Sequence, residues 1–455
     1  MKKFIFCFIF FKFFLVFSQE NIKICIENQA KIDVLVSEND FIAAEKIIET
    51  ILKNCPSANE NFYLNAEKTY LNKIEYSNTL IEKLSNIDKI IKVYDLFDKK
   101  FQNNNNGNEI KKALYIYDNR PNEKQTVYDI LNTLFVKKNI AFNNPRALYI
   151  YFELYLNEYK KPKNNTQFHD LIEKYIAIDT KNYQLREAIN IELSLLNEKQ
   201  KTTILSINES AKLKSKQEDL EALNLVRESS KGLISSYLTC ENLLNYGQLS
   251  FETNKENVFW LNFMASEMFD KSCYYNEIFS KIVNKSEDFK STSRNNFYLG
   301  YVQTLKNDKA KAVMFFNKAA DLEKNPTEKS KIFYTISTVV FGINENEKSV
   351  EYLKKAIEND ANIGNYYLSL VEIYKISSNE CAKNDFEKKA IFYLINTLLE
   401  KAGKAEKHLR KYADKTINEN LAKLPTKQEI SKAKMAGKNL TIGCYINETI
   451  LIPNN

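Results

Sequence analysis

The sequence predicts an all-α chain: a solenoid of helical hairpins with long central helices and a short C-terminal tail resembling a β-hairpin. Three observations carry that expectation. Glycine (9) and proline (7) are scarce among 455 residues, where average usage is roughly 7% and 5%. So little turn material cannot support a many-stranded sandwich or barrel, and it leaves little for glycine-rich phosphate loops. No proline occurs between Pro162 and Pro326, so long helices can run there uninterrupted. Finally, small and large apolar residues alternate at helical spacing over 295–326, and the pattern returns 37 residues later.

The elements follow in order. "MKKFIFCFIFFKFFLVFS" (1–18) places Lys2-Lys3 before a Phe/Ile/Leu-rich run broken by Lys12 and ends on the small Ser18. It reads as a secretory signal peptide cleaved to leave Gln19 first, with an uncleaved anchor as the alternative. Cys7 lies inside the apolar run and Cys25 follows Lys23-Ile24, so no lipid attachment is expected, and no later stretch is apolar enough to span a membrane. Residues 19–109 form an N-terminal helical region. In it "SENDFIAAEKIIETILKNCP" (37–56) puts Phe41, Ala44, Ile48 and Ile51 on one helix face and stops at Pro56. Amphipathic helices follow over 61–100, then a polar loop, "QNNNNGNE" (102–109). A second helical block, 110–181, is interrupted near Pro145 and at "KKPKNN". The block 182–290 reads as long helix to about 248, with Leu213, Leu220, Leu223, Val226, Leu233, Ile234 and Tyr237 as a core stripe.

Residues 291–425 carry the repeats. Helices are expected over 293–305 and 309–322, joined at Lys306-Asn307-Asp308. Gly300, Ala312 and Ala319 let the two axes approach while Leu299 and Phe316 fill the seam. Ile336-Ser337, Ser349, Leu353 and Ala356 occupy the matching places of a second copy, and Tyr367, Leu370-Val371, Tyr374 and Ala390 those of a looser third. Residues 426–455 form a capping tail in which "NLTIGCYINETILI" alternates like a small strand pair.

On these residues the chain resembles the tetratricopeptide repeat (TPR), a helix-turn-helix unit of about 34 residues that stacks into a solenoid. Gln303 departs from it where a large aromatic is usual, and Ile42–Pro56 resembles the second helix of an N-terminal repeat. The wider layout resembles exported TPR proteins of Bacteroidetes-type bacteria. Shared stretches are "CIEN" (25–28), "KNCP" (53–56), "YIYDNR" (115–120), "CAKNDFEKKAIFYLINTLLEKA" (381–402), "LPTKQE" (424–429) and "IGCYINET" (442–449). Tyr445 stands where that group has Trp, and "ILIPNN" replaces its Thr-Thr-Val-Arg-like ending. The resemblance implies an exported helical scaffold without catalytic activity.

The chemistry-bearing residues point the same way. His169 and His408 are the only histidines, both in polar helical surroundings, and no Cys-x-x-Cys pair suggests zinc. No nucleophile elbow, P-loop or dinucleotide fingerprint occurs, and acid pairs such as Glu218-Asp219 sit in highly charged helix. No enzyme activity, cofactor or metal is therefore expected. The formal charge is +7. Removing three leader lysines from 65 basic residues leaves 62 against 58 acidic ones, or +4, interspersed rather than in a basic stripe, which gives no sign of nucleic acid.

The leading function class is an exported scaffold that binds an envelope or outer-membrane protein, located in the periplasm, at the cell surface or secreted. A helical solute- or glycan-binding protein of the nutrient-uptake type is the second, and a helical carbohydrate-active enzyme the third. In the TPR the inward positions of the first helix carry the ligand. Here they are Arg294, Phe297, Tyr301 and Thr304, then Lys331, Tyr334, Thr338 and Phe341, then Asn365, Leu368, Glu372 and Lys375. Phe297 and Tyr301 replace the Lys and Asn of the family's carboxylate clamp, so capture of a C-terminal carboxylate is not expected; packing against neighbouring helices is the competing role. Six cysteines remain after the leader, and an even number in an exported chain favours disulfides, with fifteen connectivities open. Helical arrays make near-neighbour contacts, so sequential pairing is simplest: Cys25 with Cys55, Cys240 with Cys273 and Cys381 with Cys444.

Overall fold

The computed structural model describes residues 23–55, 57–101, 107–137, 142–160 and 168–454. The expected leader and its cleavage point lie outside them. The chain divides into two compact units, one ending at Ser235 and the other starting at Ser236. Each is built of helical hairpins.

The first unit runs α1 (23–37), α2 (Phe41–Asn54), α3 (Glu60–Glu75), α4 (Leu80–Lys100), α5 (Asn108–Asn119), α6 (Lys124–Lys137), α7 (Pro145–Tyr159), α8 (Phe168–Thr202) and α9 (Ile207–Ile234). Ala44, Ile48 and Ile51 of α2 are buried as their spacing predicts. They pack with Ile32 and Val36 of α1, Phe62, Ala66 and Tyr70 of α3, and Ile90 and Phe97 of α4. Each fully buried side chain of this size contributes about 1.5–3 kcal/mol, so this cluster is what holds the first four helices together.

Residues 182–248, read as continuous helix, are corrected by the structure. α8 passes through positions 181 and 182 and ends at Thr202, and α9 starts only after Ser206. The Ser206 hydroxyl receives the Glu209 amide at 3.3 Å while the Glu209 carboxylate receives the Ser206 amide at 2.9 Å, a reciprocal cap that restarts the helix. Of the proposed core stripe, Leu223, Val226 and Ile234 are buried, whereas Leu213, Leu220, Leu233 and Tyr237 are only half-buried. The polar loop also ends earlier than expected, since Asn108 already begins α5 behind a left-handed Gly107.

The second unit contains α10 (Cys240–Asn254), α11 (Val258–Asp270), α12 (Glu277–Phe289), α13 (Ser293–Leu305), α14 (Lys309–Leu322), α15 (Pro326–Phe341), α16 (Asn346–Asn359), α17 (Gly364–Cys381), α18 (Asp385–Ala405), α19 (Arg410–Asn420) and α20 (Lys427–Lys432). A two-stranded antiparallel sheet follows, β1 (Asn439–Ile442) with β2 (Glu448–Leu451), Asn439 opposite Leu451. The α13–α14 hairpin has the bounds its sequence predicts.

One turn geometry recurs. After α13, Asn307 is left-handed (φ 60°); its amide donates to Thr304 O at 3.0 Å, and the Asp308 amide donates to Gln303 O at 2.9 Å. After α15, Asn344 (φ 62°) and Glu345 repeat both bonds, to Phe341 O and Val340 O. After α1, Asn39 (φ 60°) and Asp40 do so again, and after α11 Ser272 (φ 59°) and Cys273. This paired closure satisfies the last carbonyls of the first helix and reverses the chain. Asp40 and Asp308 then accept from the third amide of the next helix, at 3.0 Å each, so the turn ends one helix and starts the other. The α11–α12 hairpin thus shares the geometry of the first two copies read from sequence, with Ala265 at the place of Gly300, seven residues before the left-handed position.

The tail caps the last hairpin. Ile442, Ile446, Ile450 and Ile452 join the core of α16, α17, α18 and α19. Tyr445 donates to Ser377 Oγ at 2.6 Å and to Glu380 at 3.0 Å, and Lys354 Nζ bonds Ile446 O at 3.0 Å and the Glu448 carboxylate at 3.1 Å.

Candidate functional site

Thr292 starts α13 by accepting the Asn295 amide at 3.1 Å, and this fixes the helix phase. Asn295, Asn296, Tyr298, Leu299, Gly300 and Val302 are buried, whereas Phe297 and Tyr301, one turn apart, stay half-exposed and Arg294 is exposed. Thr304 turns its hydroxyl back to Gly300 O at 2.9 Å. The structure brings Phe297 and Tyr301 together, 5.1 Å between ring centroids, and joins both to Phe269 of α11, at 5.8 and 4.9 Å.

The sequence reading missed the other half of this group. Tyr274 and Tyr275 lie in the 271–276 turn, where neither helical nor strand periodicity marks them. Tyr274 sits 5.1 Å from Phe269, 5.6 Å from Tyr301 and 4.5 Å from Tyr275. Tyr275 is 72% exposed. Its hydroxyl stands 3.5 Å from that of Tyr274, at the outer limit of a hydrogen bond. Burial, and behind it the Tyr275 phenolate charge, pushes up the Tyr301 phenol pKa. The Tyr275 hydroxyl, then burial, does the same for Tyr274. Raised in this way, the Tyr274 and Tyr301 phenols are neutral donors near pH 7.

The second group lies on α15 and α17. Tyr334 is half-buried, its ring 5.1 Å from that of Tyr366, and its oxygen accepts from Ser369 at 3.5 Å. Lys331 is exposed and paired with Glu328 at 2.7 Å; Thr338 is exposed, and Phe341 is 36% exposed at the helix end. On α17, Asn365 and Glu372 are exposed, Leu368 is half-buried, and Lys375 pairs with Glu372 at 2.8 Å. The face is thus part packing and part open surface.

The cysteines stand in the three sequential pairs. Their Cα atoms are 5.6 Å apart for Cys25 and Cys55, 5.5 Å for Cys240 and Cys273, and 5.1 Å for Cys381 and Cys444, all within the roughly 4.4–6.8 Å that a disulfide spans. His169 lies 4.0 Å from Asp170 and His408 3.5 Å from Glu406, all four on the surface or near it. Among the described residues, no group of three or more His, Cys, Asp or Glu side chains is placed to hold a metal ion. No helix among them is long and apolar enough to cross a membrane.

No protein-family profile matches the chain, and no curated protein matches it. Among solved structures it is similar to a tetratricopeptide repeat protein from Parabacteroides merdae (12% identity, TM-score 0.27, covering 70% of this chain and 98% of that one). It is also similar to the APC/C hetero-tetramer Cut9-Hcn1 (11%, TM-score 0.31, 87% and 83%) and to yeast Tom70 (13%, TM-score 0.31, 90% and 98%). These superpositions are loose. The TPR-like character stands on the chain's own hairpins, with their repeated turn and small-residue seams.

Proposed function

We propose that this chain is an exported, non-catalytic scaffold that binds an envelope protein through the first helices of its C-terminal hairpins. The observation that carries the reading is the set of partly exposed aromatics on those helices, Phe297 and Tyr301 on α13 and Tyr334 on α15, bordered by Arg294 and Lys331. Large rings held at the surface by packing on one side are the usual anchors of a protein interface. Export is supported by the leader-like first eighteen residues and by three cysteine pairs at disulfide separation.

The test is capture of a partner from detergent-solubilised outer membrane of the producing bacterium. Tyr301→Ala with Tyr334→Ala should abolish capture while the helical signal in circular dichroism is kept; undiminished capture would move the site elsewhere. Mature protein from the envelope should begin at or near Gln19 and show no free thiol when denatured without reductant. Six titratable thiols would refute the disulfides and weaken the case for export.

A further inference from the structure

We propose that the aromatic surface of Phe269, Tyr274, Tyr275, Phe297 and Tyr301 docks a proline-rich, extended protein segment. The proposal rests on the scaffold reading and adds the chemistry of the partner. Some large rings of the unit are buried, with Trp260, Phe279, Phe316, Tyr366 and Tyr374 each 2% exposed or less, and others such as Phe289, Phe341 and Tyr412 are exposed. Here five rings in continuous contact all keep part of their surface open. Their planes are tilted against one another, 31° between Phe269 and Tyr274, 58° between Tyr274 and Tyr301, and 63° between Phe297 and Tyr301. A pyrrolidine ring is a compact apolar body that packs against aromatic rings.

The polar chemistry selects among possible occupants. A polyproline II segment has no internal hydrogen bonds, so its carbonyls all seek donors, and its prolines carry no N–H that would need an acceptor. The patch supplies donors: the phenols of Tyr274, Tyr275 and Tyr301, with the Arg294 guanidinium one turn before Phe297 on the same helix. A polyproline II segment is also ordered before binding, so an aromatic-lined surface takes it up at low entropic cost.

The surface is itself held ready. Cys273 faces Cys240 at the root of the turn, Ser272 is left-handed, and Asn276 closes the far end by accepting the Ile278 amide at 3.0 Å. The turn that carries Tyr274 and Tyr275 is anchored at both ends.

The experiment titrates the full chain, unreduced, with a fluorescent proline-rich peptide, with the same peptide carrying Ala for Pro, and with a β-linked glucose oligosaccharide. Saturable binding of the proline peptide alone is expected. Tyr275→Ala should weaken it by about tenfold or more, and Tyr275→Phe should weaken it less, since the ring stays and only the donor is lost. Because Tyr275 is mostly exposed, neither change threatens folding. Absence of saturable binding, equal binding of the alanine peptide, indifference to Tyr275→Ala, or binding of the oligosaccharide instead would each overturn the proposal. If outer-membrane capture still depends on Tyr301 and Tyr334 while the proline peptide fails, only the proline-rich assignment falls. Capture that ignores both tyrosines defeats the scaffold reading separately.

Discussion

The hairpins α13–α14 and α15–α16 bring their helices together at the same place by different means. In the first, Gly300 lies under the Phe316 ring so closely that a Cβ on the glycine would stand 2.5 Å from two ring carbons. In the second, Ser337 replaces the glycine and Leu353 the phenylalanine, so volume added on one helix is removed from the other. Ser349 stands where the first hairpin has Ala312, and the two serine hydroxyls bond each other at 2.8 Å, both buried. Ser349 Oγ also lies 3.1 Å from Ser337 O. The two hairpins therefore close their seams with different residues, and polar atoms can serve a seam when they satisfy each other. Where neither solution is present the geometry changes: Val371 occupies the corresponding place in α17, and Ala382 after that helix is extended instead of leading into a left-handed turn. The C-terminal tail then packs against this departure, with Tyr374 OH 3.5 Å from Glu448.

Breaking the first seam should have the largest effect. Phe316→Ala leaves a cavity over Gly300 and should cost about 3–5 kcal/mol, and Gly300→Ala, which forces the ring aside, about 1–3 kcal/mol. Urea titration followed by the fluorescence of Trp260, the chain's single tryptophan and a buried residue of the same unit, reports both as lower midpoints. Exchange of solutions sharpens the comparison: Gly300→Ser combined with Phe316→Leu imports the second seam into the first. The pair should cost less than the sum of its singles, with a coupling on the order of 1 kcal/mol. Strict additivity would show that volume is not being traded across the seam.

The serine pair gives a smaller contrast. Ser349→Ala alone leaves the buried Ser337 hydroxyl without its partner and should cost about 1–2 kcal/mol, whereas Ser337→Ala with Ser349→Ala should return close to wild type. The same urea titration reads both variants. Smallest is the pH response of the C-terminal cap, which relies on charge where the seams rely on shape. Hydrogen bonding from Lys389, then from the Thr426 amide, lowers Glu429 from the ordinary 4.5 to about 2. A depressed carboxyl stabilises fully above its ordinary value, and that contribution fades as pH falls from 4.5 through 2. The Thr426 amide resonance should follow this titration, and Lys389→Met should move its midpoint upward.

How much was legible in the sequence depended on whether a feature has a period. Leu299-Gly300, Ala312, Phe316 and Ala319 recur at helical spacing, so the hairpin and its repeat could be read directly. Ala44, Ile48 and Ile51 did the same for α2. The break between α8 and α9 was missed because it depends on the cap Ser206–Glu209 inside a charged, helix-favouring stretch. The α11–α12 hairpin went unread because Ala265 and the left-handed Ser272 carry the motif without its usual Gly and Asn. Of the candidate site, Phe297, Tyr301 and Tyr334 were found by position within the repeat. Tyr274 and Tyr275 could not be, since a turn has no periodicity and only the folded chain lays them against Phe269.

The central claim is that a partner lies along the first helices of these hairpins, and photocrosslinking in the producing cells tests it most directly. A benzophenone-bearing residue at the exposed Thr338 of α15 should capture a discrete envelope protein, and the same residue at the exposed Lys348 of α16, the second helix of the same hairpin, should not. Equal capture at both positions, or capture at Lys348 alone, would contradict the account.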